Sequence, residues 1–176
     1  IEQSNQALSK VQDNLFESKR RLVDIQQEID FSSGVVTMQE LGLEYKPANH
    51  ALDEISFKKS NIQAEIAKLL GAGNNIIITC EYRVDGSESK GNKFQKAFCE
   101  NLMIGFTTYY NSKKKSITQT NAKKTEELVR KKFKSINKKG ELLGVSIAQY
   151  YLELCIKLMY LELDEKIAKT EEREKI

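Results

Sequence analysis

The chain has 176 residues, of which 40% are hydrophobic and 30% are charged, a composition that suits one modest domain with an extension. Its apolar runs fall well short of the roughly 18 residues that a membrane-spanning helix needs. The three cysteines include no CxxC pair, which argues against a disulfide framework and against a cysteine zinc site. The net charge of +3 conceals three blocks, −5 over residues 1–89, +11 over residues 90–139 and −3 over residues 140–176. The basic central block predicts a polyanionic partner.

The first thirty residues predict a long helix with a coiled-coil seam. Apolar residues recur at every a position of a heptad, while only half of the d positions are apolar. The a residues are Ile1, Leu8, Leu15, Leu22 and Ile29, and the d residues are Ser4, Val11, Ser18 and Ile25. So weak a seam is typical of a stalk, and the alternative is a surface helix folded back on the domain. The turn formers at positions 32–34 are expected to end this helix, with Gly34 at positive φ.

The next segment predicts one helix and one strand. Apolar spacing over residues 52–70 predicts a helix that the two following glycines end. The β-branched run over residues 76–84 predicts a strand, which must pair with another because a single strand is not stable alone. We expect its partner to be residues 35–43 or another chain.

The second half predicts three more helices. The third covers residues 88–111, and its apolar face comprises Phe94, Phe98, Leu102, Gly105, Phe106 and Tyr109. The fourth begins after the N-cap Asn121 and ends at Gly140, with Val129, Phe133 and Ile136 buried. Ser146 is expected to cap the last helix, whose charged end follows Leu163. The predicted fold is therefore a mostly helical α+β domain with a small β-sheet over residues 31–163. It lies between the coiled-coil helix of residues 1–30 and a charged helical connector, residues 164–176, leading toward a domain outside this chain.

Several short motifs occur in an order that resembles one bacterial domain family. They are Glu81-Tyr82-Arg83-Val84-Asp85-Gly86-Ser87, Lys90-Gly91, the segment from Phe106 to Asn111, Phe133-x-x-Ile136-Asn137-x-x-Gly140, Val145-Ser146-Ile147 and Tyr151-Leu152-Glu153-Leu154. In this order they resemble DUF4041, the SNIPE-associated domain, over roughly residues 35–176. The resemblance implies a domain set between an N-terminal coiled coil, often behind a membrane anchor, and a C-terminal GIY-YIG-type nuclease. Such proteins are similar to phage-defence nucleases that cut incoming DNA at the bacterial inner membrane.

The resemblance implies recognition rather than catalysis for this chain. Neither a GIY nor a YIG tripeptide occurs, so the nuclease and its divalent metal are expected outside these residues. The implied location is the cytoplasmic side of the inner membrane, reached through a segment outside this chain. Residues 110–121 are richer in Lys and Thr than the family pattern, so no family role is transferred to them.

The basic residues of the central block are the candidate binding residues. We expect residues 113–115 to form a basic loop, the fourth helix to present one basic face, and two lysines of the third helix to extend that surface. The set is Lys93, Lys96, Lys113, Lys114, Lys115, Lys123, Lys124, Arg130, Lys131, Lys134 and Lys138. Because Lys outnumbers Arg, contacts with the DNA backbone are favoured over base reading. The alternatives are an inert solvated face and attraction to an anionic membrane surface.

Three acidic residues near the end of the predicted strand are weak catalytic candidates. Carboxylates that converge there could hold a metal for phosphodiester chemistry. Turn and capping roles explain Asp85 and Glu88, however, and an ion pair with Arg83 explains Glu81. The only histidine, His50, has no neighbouring ligand pattern. We therefore expect no catalytic residue, metal or other cofactor in this chain.

Two tyrosines lie beside the basic segment. Tyr109 and Tyr110 could stack on single-stranded bases, although Tyr109 is predicted on the buried face. The three cysteines are predicted to be buried apolar residues.

The expected function is recognition of DNA, or of a phage or host protein that escorts DNA, by a domain that positions a nuclease. The alternative is an oligomerisation or scaffold module that forms a homo-oligomer through the N-terminal helix, with an inert lysine-rich surface. An enzyme in its own right is the least favoured class.

Overall fold

The computed structural model describes residues 2–46 and 54–176, which form five helices and one two-stranded sheet. The helices are α1 (Glu2–Glu40), α2 (Glu54–Gly71), α3 (Glu88–Ser116), α4 (Ala122–Gly140) and α5 (Gln149–Glu174). The strands are β1 (Ile76–Ile78) and β2 (Val145–Ile147), and a 3₁₀ turn (Glu141–Leu143) precedes β2. The predicted mostly helical α+β fold with a small sheet is confirmed. Ile1 and residues 47–53, with His50, lie outside the described residues.

Helix α1 continues through the residues that were expected to end it. Gly34 lies inside the helix and is buried. A Cβ atom at Gly34 would overlap the backbone of Ala67, and one at Gly71 would overlap the backbone of Asp30. The prediction of a stop is therefore wrong, because this glycine allows α1 and α2 to cross with their backbones in contact. Residues 2–29 are exposed along their whole length.

Strand β1 is shorter than predicted and pairs with β2, not with residues 35–43. The antiparallel register aligns Ile76 with Ile147 and Ile78 with Val145. Residues 35–40 belong to α1, so the predicted intramolecular pairing is wrong. Ser146 is correspondingly a strand residue, and the residue before α5 is Ala148.

A tight turn joins the extended segment after β1 to α3. Asp85 and Gly86 both have positive φ (51° and 75°), and Val84 bridges Ser87 across them. The Ser87 hydroxyl then accepts a hydrogen bond from the Lys90 amide at 3.3 Å, which caps α3. Turn and capping geometry therefore account for this stretch of the chain.

The hydrophobic core lies among α2, α3, α4 and α5. The ring centroid of Phe106 lies 5.3 Å from that of Phe133 and 6.0 Å from that of Tyr151. The Tyr110 hydroxyl donates to the Cys155 carbonyl at 2.7 Å, so this buried phenol is satisfied. Burial raises the pKa of Tyr110 and Tyr151 well above the usual range of a phenol. The predicted buried face of α4 is confirmed.

The buried face of α3 differs from the predicted face at both ends. Phe94 is exposed and stacks on Tyr82 with a centroid distance of 5.6 Å. Gln95 is fully buried instead, because its amide donates to the carbonyls of Cys80 (3.0 Å) and Leu143 (2.8 Å). Towards the end of the helix Tyr110 is buried and Tyr109 is partly exposed. Gln95 therefore occupies the buried position that was expected for Phe94, because it hydrogen-bonds two loops to the helix.

The cysteines divide into one exposed residue and two buried ones. The prediction holds for Cys99 and Cys155 and is wrong for Cys80, which is exposed after β1. Burial raises the pKa of the Cys155 thiol to about 12 and also raises that of Cys99. These two thiols are consequently neutral packing groups.

Candidate polyanion-binding face

Helix α4 presents five lysines to solvent on the side opposite its buried residues. Three of them are spaced seven residues apart, and the other two are eleven residues apart. Because both spacings are close to whole numbers of helical turns, the lysines within each set lie in a row along the helix. They are Lys124, Lys131 and Lys138 in one row and Lys123 and Lys134 in the other, and we call them the α4 lysine face. The row from Lys124 to Lys138 extends about 21 Å at 1.5 Å per residue. Glu127 is also exposed on this side and is the acidic residue within the face.

Helix α3 adds a tyrosine and a lysine at its junction with α4. The ammonium of Lys113 lies 5.4 Å from the centre of the Tyr109 ring, and that of Lys132 lies 5.3 Å from it. Both distances are those of cation–π contacts. Lys132 is not among the predicted binding residues, because it lies on the side of α4 that faces α3 and not on the predicted basic side. The contact with a residue 23 positions earlier in the chain is a tertiary feature.

Two of the expected binding residues are already engaged in ion pairs within the domain. The Lys114 side chain is only 12% exposed, and its ammonium lies 3.2 Å from a carboxylate oxygen of Glu162. Arg130 donates two hydrogen bonds to Glu153, at 2.8 and 3.1 Å, and one to Glu126 at 2.9 Å. Such a bidentate pair is geometrically specific and holds α4 against α5.

Neighbouring groups lower the pKa of both carboxyl groups that bind Arg130. For Glu153 the main cause is the hydrogen bonding from Arg130 itself. For Glu126 the main cause is the Tyr160 hydroxyl, which donates to this carboxylate at 2.6 Å, followed by Arg130. Both carboxylates therefore stay ionised at neutral pH and keep Arg130 paired.

Residues 113–115 form the last turn of α3 and not a loop. Helix α3 continues to Ser116, so the expected loop is wrong. The ammonium of Lys166 on α5 donates to the backbone carbonyls of Lys114 (3.3 Å) and Lys115 (3.0 Å). These carbonyls have no partner further along the helix, and positive charge at a helix C-terminus is favourable. Part of the charge at positions 113–115 thus stabilises the fold, while the Lys115 side chain remains exposed.

The two lysines near the start of α3 lie away from α4. Gly105 faces α4, because a Cβ atom there would lie 3.4 Å from the Ile136 side chain. Lys96 precedes Gly105 by nine residues, which is about half a turn away around the helix, and Lys93 is about a third of a turn away. Both side chains are exposed. Lys93 and Lys96 therefore do not extend the α4 lysine face.

A network of charged residues joins α2, α3 and the second half of α5. Lys59 lies 2.8 Å from Glu165 and 3.6 Å from Glu162, the carboxylate that also binds Lys114. Hydrogen bonds from Lys169 and Lys59 lower the pKa of Glu165 to about 2. The expected charged connector is helical to Glu174, but its first turns are bound to the domain.

The acidic residues near the turn do not form a metal site. Glu81 pairs with Arg83 at the surface, Asp85 occupies the turn, and Glu88 is exposed in the first turn of α3. No group of three potential metal ligands occurs in residues 2–46 and 54–176. Over the same residues, no helix is long and apolar enough to cross a bilayer.

A family model described as the SNIPE associated domain matches residues 52–170. The chain belongs to this family. The SNIPE-associated domain is known from nuclease-associated proteins. The match covers α2, α3, α4 and both strands in full and α5 as far as residue 170, and it leaves α1 outside. No curated protein and no solved structure matches the chain.

Several motif residues of this SNIPE-associated domain have structural roles. The Asn137 amide donates to the Ile147 carbonyl at 3.0 Å, and its oxygen accepts from the Ile147 amide at 2.8 Å. A Cβ atom at Gly140 would overlap the Val145 carbonyl, and one at Gly91 would overlap the Tyr82 carbonyl. The motif residues thus hold β2 and the segment after β1 against helices, while the side chains of the α4 lysine face are exposed.

Proposed function

We propose that this SNIPE-associated domain is a non-catalytic recognition module of an anti-phage defence nuclease and binds the DNA backbone through the α4 lysine face. In this proposal the protein acts at the cytoplasmic side of the bacterial inner membrane, and α5 connects the recognition module to a nuclease domain with a divalent metal. A phage or host protein that escorts DNA would serve as partner if its surface were acidic.

The proposal rests on the absence of ion pairs in the α4 lysine face. Among the described residues, the five lysines of the α4 lysine face have no ion-pair partner, whereas Lys59, Lys114 and Arg130 are each paired with carboxylates. Unpaired cations in rows on one rigid helix are available to phosphates and require no internal contact to break. Lys113, Lys132 and the Tyr109 ring widen this surface at the junction of α3 and α4.

The dimensions of the face set the expected footprint. A row of about 21 Å spans about six base pairs of duplex at 3.4 Å per step. If the five lysines each neutralise one phosphate, the slope of log K against log salt is about −4.5. Affinity would then fall by roughly 500-fold between 50 and 200 mM salt. Binding without this dependence would not come from these lysines.

The test replaces one row of lysines and compares it with a matched set. The variant Lys124→Gln/Lys131→Gln/Lys138→Gln removes three charges from the face, and the control Lys90→Gln/Lys93→Gln/Lys96→Gln removes three from α3. Binding to a short duplex is titrated at several salt concentrations. We expect the first variant to reduce the slope by about 2.7 and the control to leave it nearly unchanged. Equal losses in both would contradict a specific face, and unchanged affinity in the first would refute DNA binding there.

A specific observation also favours the alternative, a scaffold that self-associates through α1. The seam residues Leu8, Leu15 and Leu22 are 57%, 54% and 66% exposed, and Val11, Ile25 and Ile29 are also exposed. Burying such side chains is favourable, so a second α1 helix is the natural partner. We expect Leu15→Lys/Leu22→Lys to abolish this association in light scattering without loss of helicity. A parent chain that remains monomeric would remove this alternative and leave the DNA test unaffected.

A further inference from the structure

The two-stranded sheet has one closed edge and one open edge. Two backbone hydrogen bonds of 2.8 Å flank the paired strands: the Thr79 amide donates to the Gly144 carbonyl, and the Ala148 amide donates to the Asn75 carbonyl. Asn75 and Thr79 are therefore hydrogen-bonded positions. Ile77, midway between them and opposite Ser146, is one as well. In an antiparallel pair, hydrogen-bonded positions alternate along each strand. The amide and carbonyl groups of Ile76 and Ile78 therefore point away from β2.

Among the described residues, a side chain covers the outer edge of β2 but not that of β1. Ile147 also points its amide and carbonyl away from its partner strand, and the Asn137 side chain binds both groups. On β1 the Ile76 amide bonds weakly to the Gly73 carbonyl at 3.4 Å, and no described side chain takes the place that Asn137 has on β2. The side chains of Ile77 and Ile78 are 44% and 43% exposed. An exposed β-branched edge of this kind invites another strand.

A cleft of about 310 Å³ adjoins β1 at its first residue. Its apolar lining includes Ile76, Leu41, Met103 and Ile104, and Ile104 is itself 54% exposed. A strand added to β1 would therefore find a place for an apolar side chain next to the backbone hydrogen bonds. Backbone pairing together with a side-chain pocket is the usual basis of strand addition.

We propose that β1 of a second copy of this chain docks on this edge in the antiparallel direction and forms the continuous sheet β2-β1-β1-β2. Residues 73–80 carry no charged side chain, so the two paired strands themselves bring no like charges together, while Glu40 and Glu100 line the adjoining cleft. The three-residue strands leave the isolated sheet at the margin of stability, and two more strands would strengthen it. Antiparallel pairing of identical strands also closes under two-fold symmetry, which limits the assembly to a dimer.

The test depends on the outward direction of the Ile78 amide. Ile78→Pro removes a hydrogen-bond donor that the β1–β2 ladder does not use, whereas Ile78→Val keeps the donor and the β-branched shape. Both are placed in the Leu15→Lys/Leu22→Lys background, so that α1 does not contribute. We expect sedimentation velocity to show a concentration-dependent dimer for the background and for Ile78→Val. The dissociation constant should rise at least about tenfold for Ile78→Pro.

Amide hydrogen exchange in the parent background tests the same edge without a substitution. We expect Ile77 to be protected at every concentration, since it pairs with β2, and Ile78 to become protected as the dimer forms. A background that stays monomeric at millimolar concentration would overturn the second copy as occupant and leave the edge to a strand from another protein. A dimer in which Ile78 exchanges freely would also overturn it. We also expect Ile78→Pro to bind DNA as tightly as the background does. The DNA-binding measurement therefore tests the proposed function separately from the dimer.

Discussion

The crossing of α1 and α2 permits a stability prediction with an internal control. Gly34 and Gly105 both lie within helices, so Gly→Ala at either position gains about 1 kcal/mol of helix propensity. Their surroundings differ. An added Cβ atom at Gly34 would lie under 3.0 Å from three backbone atoms of Ala67, and at Gly105 it would lie 3.4 Å from the Ile136 side chain, an ordinary contact.

The magnitude follows from what must move. The neighbour of Gly34 is backbone, so the two helices have to separate by about 1–2 Å, and a gap of even 0.5–1 Å forfeits a quarter to a half of each dispersion contact. Met38, Ile66 and Ala67, which are fully buried near this crossing, would lose contacts. Overpacking costs about 1–3 kcal/mol, and a backbone collision belongs at the upper end. After the gain in propensity, Gly34→Ala should destabilise the domain by about 2 kcal/mol, while Gly105→Ala should be neutral or stabilise it by up to about 1 kcal/mol.

The assay is urea unfolding at neutral pH, followed by far-ultraviolet circular dichroism with equal slopes required for all variants. The expected order of midpoints is Gly105→Ala at or above the parent, and Gly34→Ala below it. A Gly34→Ala protein as stable as the parent would refute the close crossing of α1 and α2. An equal loss in both variants would contradict the packing difference between the two positions, because the gain in helix propensity is common to both.

Two further predictions concern the residues that join distant parts of the fold. Because the pKa of Glu165 is lowered to about 2 from an ordinary 4.5, its contribution to stability is full above about pH 4.5 and is lost as the pH falls towards 2. Urea midpoints between about pH 5 and pH 2 should therefore decrease less for Glu165→Gln than for the parent, and parallel decreases would contradict the ion pairs. Asn137→Asp retains an acceptor for the Ile147 amide but places a carboxylate against the Ile147 carbonyl. It should lower the free energy of unfolding by about 2–3 kcal/mol. A decrease below about 0.5 kcal/mol would contradict the hydrogen bonds between Asn137 and the edge of β2.

Local patterns were sufficient for much of the fold. The spacing of Val129, Phe133 and Ile136 identified the buried face of α4 and, with it, the lysines on the opposite side. Helix ends were predicted less well, since an end is set by contacts outside the helix. The end of α3 illustrates this, because Lys166, some 50 residues later, binds the last carbonyls and the helix continues to Ser116.

The amino-acid sequence by itself determined the helical class, the exposed seam of α1, the basic block of residues 90–139 and membership of the family. Those properties depend on composition, on periodicity and on the order of short motifs, all of which are local. Only the tertiary structure decided which cations are available, because a lysine is free or paired according to residues that are distant in sequence. Lys59 and Glu165 are 106 positions apart and 2.8 Å apart in space. The same reason separates Lys93 and Lys96 from α4, since the angle at which two helices pack is set by glycines and core side chains and not by the charges on either helix.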